Sequence, residues 1–235
     1  MATLYAGTSG FAYPAWKPAF YPEKLPAARF LEYYAGRLNC VEINYTFRRM
    51  PSAKSLRSWI AATPPGFVFA VKAHQSITHK HRLKAEAREP VEYFLGTLRP
   101  LKDAGRLGPV LVQLPPNLKL DPARLERFLE LLPGDVRFAF EFRHASWFDE
   151  ATYALLRRNN AALCLSESEK LQTPEVSTAD FAYRRLRRQE YDDAALARLR
   201  QRSRESVRDG RDVFLLFKHE DDAGGAAQAE RLLAA

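Results

Sequence analysis

Eight short apolar runs punctuate this chain: "TLYAG" at 3–7, "CVEIN" at 40–44, "FVFAVKA" at 67–73, "VLVQL" at 110–114, "RFAFEF" at 137–142, "AALCLS" at 161–166, "FAYRRL" at 181–186 and "DVFLLF" at 212–217. Their length and their content of branched and aromatic residues suit buried strands. Between them the apolar spacing becomes helical. "PAARFLEYYAGRL" carries Phe30, Leu31, Tyr34 and Leu38 on one face behind an early proline. "SAKSLRSWIAAT" opens on Ser52 as N-cap, and "DPARLERFLELL" on Asp121 and Pro122. "DEATYALLRRN", "YDDAALARLRQRSRESV" and "GAAQAERLLAA" follow the same pattern. Strands alternating with about eight helices predict an α/β fold, a TIM-barrel-like (β/α)8 arrangement read as one domain over 1–235. An open doubly wound sheet fits less well, because "GTSG" is not a GxGxxG turn. Residues 8–25, 74–89 and 166–180 read as long βα loops.

Polar residues interrupt the apolar runs at their ends. Glu42 and Asn44 share one face of the second strand. Lys72, Gln113 and Glu141 close the next three, with Arg143 two residues on. Tyr183 and Arg185 share a face of the seventh, Lys218 and His219 follow the eighth, and Ser9 lies just past the first. In a barrel these positions converge at the C-terminal mouth, where sites are built. Charges of both signs there predict a compensating cluster. It is either a salt-bridged plug or a polar pocket for an anionic or hydroxyl-bearing ligand. Aromatic residues crowd the same end: Phe11, Tyr13, Trp16, Phe20 and Tyr21 in one loop, then Phe47 and Trp147. They could stack on a ligand or form a small core over the rim. His74, His79, His81 and His144 form no HExxH motif, so no metal and no other cofactor is expected. His79 remains a candidate for proton transfer or anion binding.

Composition changes this picture in one respect. The formal net charge is +8, and residues 184–211 hold ten arginines against five acidic residues. Such a stripe invites anions, single-stranded nucleic acid included, unless it is simply a solvated helix face. Cys40 and Cys164 sit in apolar runs and read as reduced core thiols. No apolar stretch has the length of a membrane span, and "MATLYAGTSG" lacks the layout of a secretory signal, so a cytoplasmic protein with no membrane partner is expected.

Five blocks in order, "GTSGFAYPAWKPAFYP", "VEINYTFRRMP", "FAVKAHQSITH", "LGPVLVQLPP" and "FEFRHASWF", resemble the signature blocks of the YecE-like family, domain of unknown function 72. The resemblance covers nearly the whole chain. It implies a TIM-barrel-like fold and no settled activity. By matching position it implies a pocket of Ser9, Gly10, Tyr13, Glu42, Asn44, Thr46, Lys72, His79, Gln113, Glu141, Arg143, His144, Trp147, Tyr183 and Arg185. The C-terminal third departs from the family pattern. "YRRLRR" stands for Tyr-x-Arg-x-His-Gly, and "FKHEDD" replaces a Phe-Asn-Asn, so that Lys218 and His219 would add a cation at the mouth.

Three functions fit these residues. In the first, Lys72, Arg143 and Arg185 grip a small phosphorylated or carboxylated ligand, with Lys218 nearby, and Glu42, Glu141, His79 or Lys72 supplies the chemistry of a hydrolase or lyase. Two carboxylates in one enclosed mouth would be expected to have pKa values pushed apart. In the second, the basic surface binds nucleic acid, as a nuclease would. The third and weaker one is a glycoside hydrolase using Glu42 and Glu141 as its carboxylate pair.

Overall fold

The computed structural model describes residues 1–167, 171–188, 190–218 and 221–234. Eight parallel strands close into a barrel in sequence order: β1 (Leu4–Ser9), β2 (Cys40–Ile43), β3 (Val68–Lys72), β4 (Leu107–Gln113), β5 (Phe138–Glu141), β6 (Ala162–Ser166), β7 (Phe181–Leu186) and β8 (Asp212–Phe217). All eight coincide with the apolar runs, and β1 pairs with β8 to complete the closure.

Helices pack on the outside: α1 (Phe30–Ala35), α2 (Ala53–Ala61), α3 (Arg88–Asp103), α4 (Pro122–Leu129), α5 (Glu150–Arg158), α6 (Asp193–Arg208) and α7 (Gly224–Leu233). Local chemistry sets their starts. Ser52, Asp121, Asp149 and Asp192 each accept a hydrogen bond from a backbone N–H in the first turn, which satisfies an otherwise orphaned donor. The expected count of about eight helices becomes seven among the described residues. The crossover from β6 to β7 carries none there; instead Thr178 accepts from the backbone of Leu163 and donates to the carbonyl of Ala161. α3, sixteen residues long, extends well past the stretch expected to be irregular.

Two apolar layers follow from the alternation of side chains along each strand. Val41, Ile43, Phe69, Val112 and Phe140 face the helices. Cys40, Ala70, Leu111, Ala139, Cys164, Tyr183 and Leu216 fill the barrel interior. Both cysteines are buried and free, and burial pushes both thiols up, which fits their reading as core residues. One glycine is required by close approach. A Cβ on Gly7 would lie 1.9 Å from the carbonyl oxygen of Cys40. Gly7→Ala is therefore expected to cost at least the ~1–3 kcal/mol of an overpacked core, read as a lowered thermal midpoint. An unchanged midpoint would show that β1 and β2 can separate.

Candidate functional site at the barrel mouth

One step beyond the apolar interior, the same alternation places a polar residue on every strand. These are Ser9, Glu42, Lys72, Gln113, Glu141, Ser166 and Arg185, with Lys218 just past β8. This explains a carboxylate inside "CVEIN": Cys40 and Glu42 face the axis while Val41 and Ile43 face the helices.

The centre of this layer is one guanidinium. Arg185 is 2% exposed and donates to both carboxylates, Nη2 to Glu42 Oε1 at 2.7 Å and Nη1 to Glu141 Oε2 at 2.7 Å. Ser9 Oγ and Tyr183 Oη each donate to Glu42 at 2.7 Å. Gln113 Nε2 donates to Glu141 at 2.9 Å, and Arg187 Nη2 at 2.8 Å. Burial alone would raise both carboxyls, but the Arg185 charge and these hydrogen bonds overcome it. Glu42 is held below the usual range and Glu141 at about 2. Two sequence expectations are thereby corrected. The carboxylates do not have pKa values pushed in opposite directions; both stay ionised, so neither is poised to give a proton as an acid or take one as a base near neutrality. Arg185, expected to grip a ligand, is instead buried with its guanidinium engaged by Glu42 and Glu141. The floor of the mouth is a buried ion-pair cluster.

Above this floor the charge is different. Lys72 Nζ donates to Gln113 Oε1 at 2.8 Å and sits 4.5 Å from the centre of the Phe47 ring. It makes no ion pair among the described residues. Burial, reinforced by Arg185 and Lys218 against the pull of the two glutamates, lowers it to about 8. His79 meets the same Phe47 ring edge-on at 4.8 Å, with Nδ1 against Thr78 Oγ1 at 2.8 Å. Burial and the charges of Lys72, Arg143 and Arg82 lower it further below its ordinary value, so it is neutral at pH 7. Arg143 is exposed and has no hydrogen bond or ion pair among the described residues. Lys218 is also exposed. Asn44 Oδ1 lies 3.5 Å from Arg185 Nη2, and its buried Nδ2 has no partner among the described residues.

Other expected site residues have structural duties. Trp147 is fully buried, stacked on Phe142 at 4.7 Å and donating to the carbonyl of Leu118. It cannot stack on a ligand. Thr46 is buried with its hydroxyl 3.0 Å from the carbonyl of Ile43 and 2.7 Å from that of Lys72, pinning the ends of β2 and β3. Gly10, at φ +95°, leaves room for Tyr13, whose hydroxyl donates to the carbonyl of Ser9. His144 caps the turn 145–147, its Nδ1 accepting from the Ser146 backbone. Trp16, Phe20 and Tyr21 pack together as a core over the rim. His219 lies outside the described residues. Two residues were missed. Ser166 was legible from alternation after Ala162 and Cys164, and its buried hydroxyl has no partner among the described residues. Arg187 continues the face of Arg185.

Larger hollows exist off the axis: one of about 620 Å³ beneath α6 with Arg184, Arg198 and Arg202, and one of about 850 Å³ beside α3 with Met50, His81 and Tyr93. Neither is lined by Glu42, Lys72, Glu141 or Arg185, so converging chemistry and not volume singles out the mouth. Among the described residues no group of three His, Cys, Asp or Glu could hold a metal ion, and no described helix is long and apolar enough to cross a membrane.

A family model, "Protein of unknown function DUF72", matches residues 5–235. The chain belongs to the DUF72 family. This DUF72 protein is 29% identical over 155 residues to UPF0759 protein YunF of Bacillus subtilis, and 30% over 146 residues to UPF0759 protein YecE of Escherichia coli. The matches cover 64% and 62% of the chain, and about half the length of those relatives (54% and 50%). A DUF72 family protein from Thermotoga maritima superposes with a TM-score of 0.82 at 31% identity, over 99% of this chain and 98% of that one. One from Enterococcus faecalis gives 0.78 at 19% identity, over 100% and 99%, and shares the fold.

Proposed function

We propose that the barrel mouth of this DUF72 protein binds, and acts on, a small carboxylated or phosphorylated ligand. The observation that carries this reading is an imbalance of charge. Every oxygen of Glu42 and Glu141 is already engaged, whereas Lys72 and Arg143 have no carboxylate partner among the described residues. Arg143 offers a bidentate fork for an anion, and Asn44 Nδ2 a further donor. The basic stripe of 184–211 supports the nucleic-acid reading less well. Arg184 and Arg202 share Glu175, Arg188 pairs with Glu167, and Arg200 donates to the carbonyl of Arg231.

A thermal-shift screen tests the proposal with small carboxylates, sugar phosphates, nucleotides and short single-stranded oligonucleotides. One small anion at about a hundred times its Kd is expected to stabilise the fold by about 2.7 kcal/mol. The shift should survive moderate salt and vanish in Arg143→Ala. Stabilisation by oligonucleotides alone, erased by salt and unchanged in Arg143→Ala, would transfer the function to the basic surface.

A further inference from the structure

Lys72 is set apart from the other cations of the mouth by its surroundings. The nearest buried carboxylate, Glu141, is held one residue away: Lys72 donates to Gln113, and Gln113 in turn donates to Glu141. An amide therefore stands where a carboxylate would have fixed the ammonium as an ion pair. On its other sides Lys72 meets the Phe47 ring and the charges of Arg185 and Lys218. A half-buried amine against an aromatic ring, among cations and with no ion-paired carboxylate among the described residues, is the environment that makes a lysine nucleophilic near neutral pH. The His79 imidazole meets the same ring edge-on at 4.8 Å.

We propose that Lys72 forms a Schiff base with an anionic ligand bearing an aldehyde or ketone, such as a 2-oxo acid or a phosphorylated aldose. This rests on the mouth being an anion site, and adds the chemical class of the ligand and the reacting atom. In the step, the neutral Nζ adds its lone pair to the carbonyl carbon, and the carbonyl oxygen takes up a proton. Nitrogen then releases one proton, the hydroxyl leaves with a second proton as water, and the protonated imine so formed gives up its remaining nitrogen proton. Amine and carbonyl thus give imine and one water, with no change of oxidation state. Arg143 would hold the ligand's anionic end.

The test is reductive trapping. The full chain is incubated with glyoxylate, pyruvate or glyceraldehyde 3-phosphate and sodium cyanoborohydride, whose hydride fixes an imine as a secondary amine. Peptide mapping by mass spectrometry then locates the adduct. Lys72 is expected to be modified roughly tenfold faster than exposed lysines at neutral pH: its larger neutral fraction outweighs its lower basicity. The rate should rise through pH 8, in step with Lys72. Lys72→Arg should lose the adduct, and the wild type should be stabilised by lactate or glycerol 3-phosphate, anions with no reactive carbonyl. Gln113→Glu, which restores a carboxylate partner, should slow trapping at Lys72. If those anions stabilise the wild type but label spreads over surface lysines, the Schiff base is overturned and the anion site stands. If an uncharged aldehyde labels Lys72 as fast as the charged probes and no anion stabilises the fold, the imine stands and the anion site falls. With neither adduct nor stabilisation, both fall.

Discussion

Arg185→Leu is expected to destabilise the protein by about 3–5 kcal/mol at neutral pH, because it strands two buried carboxylates without a counter-charge. Glu42 is 0% exposed and Glu141 2%, so water cannot take the place of the guanidinium. The two residues would then respond as isolated buried acids do, with carboxyls pushed up and not down. The variant should accordingly gain stability relative to the wild type as the pH is lowered toward 5. Adding Glu42→Gln and Glu141→Gln to the same chain should recover much of the loss, since uncharged amides need no counter-ion. Urea unfolding of the three chains at pH 5 and pH 7 measures this. A cost under about 1 kcal/mol for Arg185→Leu would mean that Arg187 or Lys72 can swing in to take over.

The wild type is expected to lose stability steeply in acid, with Glu141 contributing most where its protons bind. Its folded carboxyl is held at about 2 against an ordinary 4.5. As the pH falls, the unfolded chain takes up the proton first, so folding is penalised. The stabilisation from this group is complete above 4.5 and disappears between 4.5 and about 2, amounting to about 3 kcal/mol over that window. Glu42, also lowered, adds a loss of the same sign. Unfolding free energy measured at half-unit steps from pH 6 to pH 2.5 should show the slope, and Glu141→Gln should flatten it. A curve level between pH 5 and pH 3 would contradict the ion-pair geometry.

The barrel was legible because parallel strands buried on both faces leave unbroken apolar runs, and all eight were found from composition alone. α3 is not among the helical segments named from the sequence: Pro90 and Pro100 within it look like breaks. The level of the site was legible too. Alternation carries Glu42, Lys72, Gln113, Glu141 and Arg185 to one height in the barrel, and it would have given Ser166 had it been applied to the sixth strand. A compensating cluster across the barrel was legible, but not which cation takes which carboxylate. Nothing in "VEIN" or "FEFR" says that both belong to one arginine far along the chain, and not to Lys72 or Arg143, and this pairing turns candidate bases into permanent anions. Trp147 failed for a related reason: a residue just past a strand can fold back into the core behind it, and a sequence does not say which way the turn goes.

The β6–β7 crossover gives the fold one side with no helix among its described residues. Lengthening a chain connection is inexpensive, about 0.6 kcal/mol for each doubling, and no helix among the described residues has to be displaced there. Added segments, even a folded module, can be accommodated at this flank while the opposite side keeps its packing. That makes the flank the natural place to graft a tag or reporter when the chemistry of the mouth is under study.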